Sequence, residues 1–151
     1  MTDNSQIFMQ RALDLARLGL YTTDPNPRVG CVIVKDNRII GEGFHEKTGE
    51  PHAEIHALRQ AGEQAQGATV YVTLEPCCHQ GKTPPCCDAL IQAGVKDVWV
   101  AMADPNPQVN GGGIARLKEA GIQTHLGLLE AEAAALNPGY IKRMKIGRAH
   151  V

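Results

Sequence analysis

VGCVIVKDNRIIGEGF, residues 29–44, is the stretch whose reading decides the fold. VGCVIV (29–34) and RIIGEGF (38–44) are apolar, β-branched runs with Asp36-Asn37 between them, a pattern that predicts an antiparallel hairpin. Before the hairpin, residues 6–19 place Ile7, Met9, Ala12, Leu13, Leu15, Ala16 and Leu18 at the spacing of an amphipathic helix, and Gly19 is a stop signal. The turn-rich segment Thr22 to Arg28 joins the two. After the hairpin, helical and strand patterns alternate. HAEIHALRQAG (52–62) reads as a helix introduced by Pro51 and closed by Gly62. TVYVTL (69–74) reads as a strand, PPCCDALIQAG (84–94) as a helix, DVWVAM (97–102) as a strand, GIARLKEAG (113–121) as a helix and IQTHLG (122–127) as a short strand. Glu130 to Lys145 is expected to be helical, with an interruption at Pro138-Gly139.

This order predicts an α/β fold, a three-layer α/β/α sandwich on a mixed five-stranded sheet. The first two strands are expected to be antiparallel and the later ones parallel through right-handed crossovers. The chain has 151 residues, 43% hydrophobic and 21% charged, which suits one globular domain spanning residues 1–151. A net charge of −1 gives no basic face for a nucleic-acid partner, and 4% aromatic residues is few for stacking single-stranded bases. No signal-peptide pattern or membrane-length apolar run is present, so the expected location is cytoplasmic, away from membranes.

Four of the five cysteines, Cys77, Cys78, Cys86 and Cys87, fall within eleven residues, which in a cytosolic chain favours metal ligation or free thiols over disulfides. Zinc takes nitrogen and sulfur ligands, and a catalytic site keeps about three of them so that water can occupy the fourth position. His52 at the start of one helix and cysteines around the start of the next supply such a set, because adjacent helix N-termini converge at one end of an α/β sheet. Spacing alone leaves open which of the four cysteines bind. Glu54, two residues from His52, can serve as the carboxylate that takes a proton from the activated water and delivers it to the substrate. Ring carbons that bear an amino group are the electrophiles this apparatus suits.

Taken together, His52-Ala53-Glu54 followed by Pro76-Cys77 resembles the cytidine-deaminase-like zinc deaminases, whose signature is H-x-E then P-C-x-x-C. Position 80 is Gln80 where that signature has its second cysteine. The longer spacing resembles one branch, the deaminase domain of the RibD (RibG) family of riboflavin biosynthesis. The matching motifs are Pro25-Asn26-Pro27-Arg28-Val29-Gly30, His52-Ala53-Glu54, Thr73 to Cys86, and Asp104-Pro105-Asn106-Pro107, and the likeness covers about residues 6 to 145. It implies that Zn2+ is the cofactor, that His52, Cys77 and Cys86 are its ligands, and that Glu54 is the general acid/base. Cys78 stands where the family usually has serine, and Cys87 falls just past the site. The implied reaction is hydrolytic deamination of 2,5-diamino-6-(5-phosphoribosylamino)pyrimidin-4(3H)-one to 5-amino-6-(5-phosphoribosylamino)uracil and ammonia.

A phosphorylated substrate needs cationic and N–H or O–H donors. The loop between the cysteines offers them, and His79, Lys82 and Thr83 are expected to meet the phosphoribosyl part. Asn26, stiffened between two prolines, suits a contact to ring or ribose. His45 at the end of the second strand, and Asp104 and Asn106 beyond the DVWVAM strand, are further candidate substrate contacts; a surface histidine and a simple turn are the plainer readings of these three. Two other functions fit parts of the pattern. One is a nucleoside or tRNA deaminase, which the eight-residue gap between Cys77 and Cys86 counts against. The other is a non-catalytic zinc-stabilised binding module, which would engage all four clustered cysteines. The resemblance also implies a C-terminal reductase using NADPH as a covalently linked partner in a longer bifunctional protein, but the glycines at 111–113 are not a dinucleotide fingerprint and nothing in residues 1–151 reads as a reductase. A homo-oligomer is left open by the sequence.

Overall fold

The structure, a computed structural model, describes residues 4–19, 27–45, 51–77, 86–106 and 110–149, excepting the side chains of residues 143 and 145–149. Strand β1 (Gly30–Lys35) and strand β2 (Arg38–Phe44) form the predicted hairpin, paired antiparallel from Gly30↔Phe44 to Lys35↔Arg38. Asp36 and Asn37 take φ of 52° and 64°, the left-handed pair that a two-residue turn needs to match the twist of its strands. The other elements are helix α1 (Ser5–Arg17), helix α2 (Ala53–Ala61) with a 3-10 turn at Gly62–Ala65, β3 (Thr69–Val72), α3 (Cys86–Ala93), β4 (Asp97–Val100), α4 (Gly112–Glu119), β5 (Gln123–Leu126), α5 (Glu130–Leu136) and α6 (Pro138–Ala149). The sheet runs β2-β1-β3-β4-β5, with β1 antiparallel to β3 and β3, β4 and β5 mutually parallel. The mixed five-stranded sheet of the sequence reading is therefore present.

Strand periodicity sorts the core into two layers. Cys31, Ile33, Val70, Val72, Val98 and Val100 bury one sheet face under α2, α3 and α4. Val32, Val34 and Tyr71 bury the other under α1 and α5. Two glycines of β2 bring α2 close. A Cβ at Gly41 would lie 2.2 Å from the Ala57 carbonyl oxygen, and one at Gly43 would lie 2.5 Å from that of Ala53. The first turn of α2, with His52 and Glu54, is thereby pressed onto the hairpin.

Boundaries differ from expectation at the ends of two strands and in the C-terminal helical stretch. β3 and β4 end at Val72 and Val100, two residues short of the apolar runs. Beyond them the chain stays bonded to its neighbours (Thr73 N–H to Gly30 O, 3.1 Å; Glu75 N–H to Met102 O, 3.1 Å) but bends out of the ladder toward the site. The break in the C-terminal helical stretch falls at Asn137, because Pro138 opens a new helix where its missing N–H costs nothing. Among the described residues no helix is long and apolar enough to cross a membrane.

Candidate metal centre

His52 is the residue before α2, with extended backbone (φ −71°, ψ 165°), and its carbonyl receives the first helical N–H bonds, from Ile55 (3.1 Å) and His56 (3.3 Å). Its ring is thus free to leave the helix axis. Cys77 follows the bend after β3, and Cys86 is the first residue of α3. Their donor atoms meet: His52 Nδ1 lies 3.1 Å from Cys86 Sγ and 3.9 Å from Cys77 Sγ, and all three atoms lie within 4.8 Å of one another. Among the described residues this is the group of His, Cys, Asp and Glu side chains that could hold a metal ion.

The N-terminus of α3 grips Cys77. Cys86 N–H donates to Cys77 Sγ (3.1 Å) and Cys87 N–H to the Cys77 carbonyl (3.2 Å). Unpaired N–H groups and the positive end of a helix stabilise a thiolate. The hydrogen bond from the Cys86 thiol, helped by His52 and by the Cys86 N–H, holds Cys77 far down, at about 4. That same bond, with burial, pushes Cys86 up. The one bond thus moves the two thiols in opposite directions, Cys77 down and Cys86 up. His52 is raised, chiefly by its hydrogen bond to Cys77.

Glu54 lies in the first turn of α2 and is 3% exposed. Burial pushes its carboxyl up to about 7; the Cys77 thiolate adds to this, while His52, the Glu54 N–H and the Cys86 thiol pull the other way. Beneath it, the fully buried Cys31 thiol of β1 is pushed up by burial and by the charge of Glu54.

Imidazole and thiolate donors are the set that zinc prefers. In a tetrahedral site with Zn–N and Zn–S bonds of ordinary length, nitrogen and sulfur ligands stand roughly 3.6 Å apart, and the spacings of 3.1 and 3.9 Å straddle that value. The residues fit the ion.

The remaining expectations divide. His45 is buried at 4% exposure, and its ring meets that of His52 edge-on, centroids 5.3 Å apart, so it is not a surface histidine and packs beside the metal-ligand candidate. Asp104 is buried in a turn, where Oδ1 accepts Asn106 N–H (2.9 Å) and the Tyr140 hydroxyl (2.8 Å); Asn106 is half-buried beside it. Asn26, His79, Lys82 and Thr83 lie outside the described residues, as does Cys78. Cys87 is fully buried in the core beneath α3.

Sequence reading missed Glu75. Its carboxylate, 3% exposed, accepts three backbone N–H groups: Asp104 (3.1 Å) and Gly111 (3.0 Å) at Oε1, and Ile114 (3.1 Å) at Oε2. It thus caps α4 and ties the 104–106 turn to the segment that carries Cys77. A Cβ on Gly113 would lie 2.0 Å from the Pro76 carbonyl oxygen, so α4 rests directly against that segment. The sequence shows only that an acceptor is missing: Asn110-Gly111-Gly112-Gly113 opens a helix with no capping side chain at its first residues, but nothing there points to residue 75.

Residues 2–102 match the cytidine and deoxycytidylate deaminase zinc-binding region. The riboflavin biosynthesis protein RibD of Escherichia coli K12 is 61% identical over 146 residues, covering 97% of this chain and 40% of that protein. A diaminohydroxyphosphoribosylamino-pyrimidine deaminase of Buchnera aphidicola (from Acyrthosiphon pisum) is 57% identical over 95% of this chain and 98% of its own. Among solved structures, Acinetobacter baumannii RibD superposes with a TM-score of 0.93 at 62% identity, over 95% of this chain and 41% of that one. The chain thus spans about 40% of the RibD proteins it matches and nearly the whole of the Buchnera deaminase.

Proposed function

The chain belongs to the cytidine and deoxycytidylate deaminase zinc-binding family, in its diaminohydroxyphosphoribosylaminopyrimidine deaminase branch, and on that premise we propose that it is a hydrolytic deaminase of riboflavin biosynthesis. In the proposed reaction water replaces the 2-amino group of 2,5-diamino-6-(5-phosphoribosylamino)pyrimidin-4(3H)-one. The products are 5-amino-6-(5-phosphoribosylamino)uracil and ammonia. The observation that carries this reading is the convergence of His52, Cys77 and Cys86 within 4.8 Å at the turn of α2 that buries Glu54.

His52, Cys77 and Cys86 would hold zinc. A bound zinc ion supplies Lewis acidity and brings the pKa of water from 15.7 to about 7. Cys77, whose thiol is held low by its hydrogen bonds, and Cys86 would bind the ion as thiolates, so that uptake of zinc would be coupled to loss of protons. Glu54, with a carboxyl poised near neutrality, takes the proton of the attacking water. It passes that proton to the ring nitrogen as the C–O bond forms, then takes the second proton from the added hydroxyl and hands it to the amine, so that the C–N bond breaks and ammonia leaves. Burial keeps bulk water from exchanging with that carboxyl. His45 forms part of the wall against His52. The phosphoribosyl contacts fall to Lys82, His79 and Thr83, and Asn26, Asp104 and Asn106 complete the pocket in this reading. The 151 residues act as one deaminase domain.

The test is direct. Purified protein is expected to carry stoichiometric zinc and to release ammonia from the diaminopyrimidinone phosphate and not from cytidine. Cys86→Ala is expected to lose zinc and turnover together. Zinc content and activity that survive this substitution would place the metal elsewhere.

A further inference from the structure

The corner between α5 and α6 holds two irregular segments through side chains. Asn137 Oδ1 accepts Arg28 N–H (2.7 Å), and Asn137 Nδ2 donates to the Arg28 carbonyl (3.0 Å), so one amide clasps both polar groups of a residue 109 positions away. The Asn137 carbonyl in turn receives Ile141 N–H (3.0 Å), and Pro138 follows it with a fixed φ, so the clasp stands on rigid backbone. Near the start of α6, the Tyr140 hydroxyl donates to Asp104 Oδ1 (2.8 Å).

Each tether leads toward the metal ligands. Arg28 adjoins Val29, whose carbonyl receives His45 N–H (3.0 Å), and the His45 ring packs on His52. Asp104 N–H is held by Glu75, two residues before Cys77. One corner therefore grips the chain beside His52 and the turn tied to the chain beside Cys77. Neither bond involves a metal ligand or Glu54.

We propose that Asn137 and Tyr140 are positioning residues that set the spacing of two substrate-binding walls, Arg28–Val29 with His45 on one side and the 104–106 turn on the other. This rests on the deaminase reading. Walls that contact the substrate in its ground state and its transition state alike affect binding and leave the chemical step alone. A wall displaced by the loss of one such bond is expected to weaken substrate binding roughly fivefold, about 1 kcal/mol.

The experiment measures kcat, KM and zinc content for the wild type, Tyr140→Phe and Asn137→Ala, with ammonia release from the diaminopyrimidinone phosphate as the assay. Both variants are expected to raise KM by about 3- to 20-fold, with kcat within about twofold and zinc unchanged. A purely structural role would lower thermal stability and leave KM where it was, and that result in Tyr140→Phe overturns the proposal. If Asn137→Ala does not fold, Tyr140→Phe still decides, since it removes one oxygen and keeps the ring. Wild-type protein that binds zinc but releases no ammonia overturns the deaminase reading and this proposal with it; an active wild type with unmoved KM values in the variants overturns this proposal alone.

Discussion

Glu54 and Glu75 are both 3% exposed, and both stand within two residues of a metal-ligand candidate, yet the protein uses them in opposite ways. Glu75 meets three backbone N–H groups, a full set of partners for a buried carboxylate, and is fixed by them. Glu54 faces thiols and a histidine, and burial without such a cage leaves its carboxyl near 7, where it can take up and release a proton. The difference teaches that burial alone does not make a carboxylate reactive. What matters is whether backbone donors hold the carboxylate in place, as at Glu75, or whether it stands among groups that leave its carboxyl at about 7, as at Glu54.

The largest effect that can break this comparison is on turnover. Glu54→Gln keeps the shape and the burial but cannot carry protons. It is expected to lower kcat by about 10³-fold, roughly 4 kcal/mol of barrier, while zinc stays bound. Steady-state ammonia release with parallel zinc analysis checks this, and an active Glu54→Gln would move the proton chemistry to another group.

Next comes stability. Glu75→Ala leaves three N–H groups at the start of α4 and the 104–106 turn without their acceptor. A loss of about 3 kcal/mol in unfolding free energy is expected, with weakened zinc retention because the Cys77 segment loosens. Denaturant unfolding and chelator competition measure the two. A Glu75→Ala protein as stable as the wild type would mean the cage is incidental. Gly113→Ala attacks the same contact from the helix side. Its methyl cannot fit against the Pro76 carbonyl, so α4 must shift, at a cost of about 2 kcal/mol.

The two glutamates were not equally legible in the sequence. Glu54 announces itself because its partner is two residues away and the pair is followed by cysteines. The elements were legible for a similar reason: the hairpin and the alternating helices and strands rest on local apolar periodicity and on Asp36-Asn37, a turn pair that tolerates positive φ. Glu75 lies inside a motif, but its partners are backbone groups at 104, 111 and 114, which carry no residue-type signature. Asn137 and Tyr140 are hidden likewise, since their partners lie 109 and 36 positions away. The early ends of β3 and β4 follow from the same cause. Leu74 and Met102 continue the apolar pattern, while tertiary bonds turn the backbone toward the site.

The smallest effect probes the carboxyl balance itself, in metal-free protein. The ordinary carboxyl value is 4.5, and in the folded chain Glu54 stands at about 7. Below pH 4.5 the group is protonated whether the chain is folded or not, and it adds no pH-dependent cost. As the pH rises from 4.5 to 7, the unfolded chain releases this proton and the folded chain keeps it, so stability declines. Above 7 the folded chain carries the buried charge and the loss is complete. Wild type and Glu54→Gln are therefore expected to match near pH 4 and to diverge by about 1–2 kcal/mol by pH 8, with the glutamine variant the more stable, once the pocket relaxes around the charge. Urea unfolding of both proteins across that range, in chelator, measures the difference, which includes the effect of the Glu54 charge on His52 and Cys31. A gap that stayed flat with pH would show that burial does not raise the Glu54 carboxyl, and the contrast between the two carboxylates would fall.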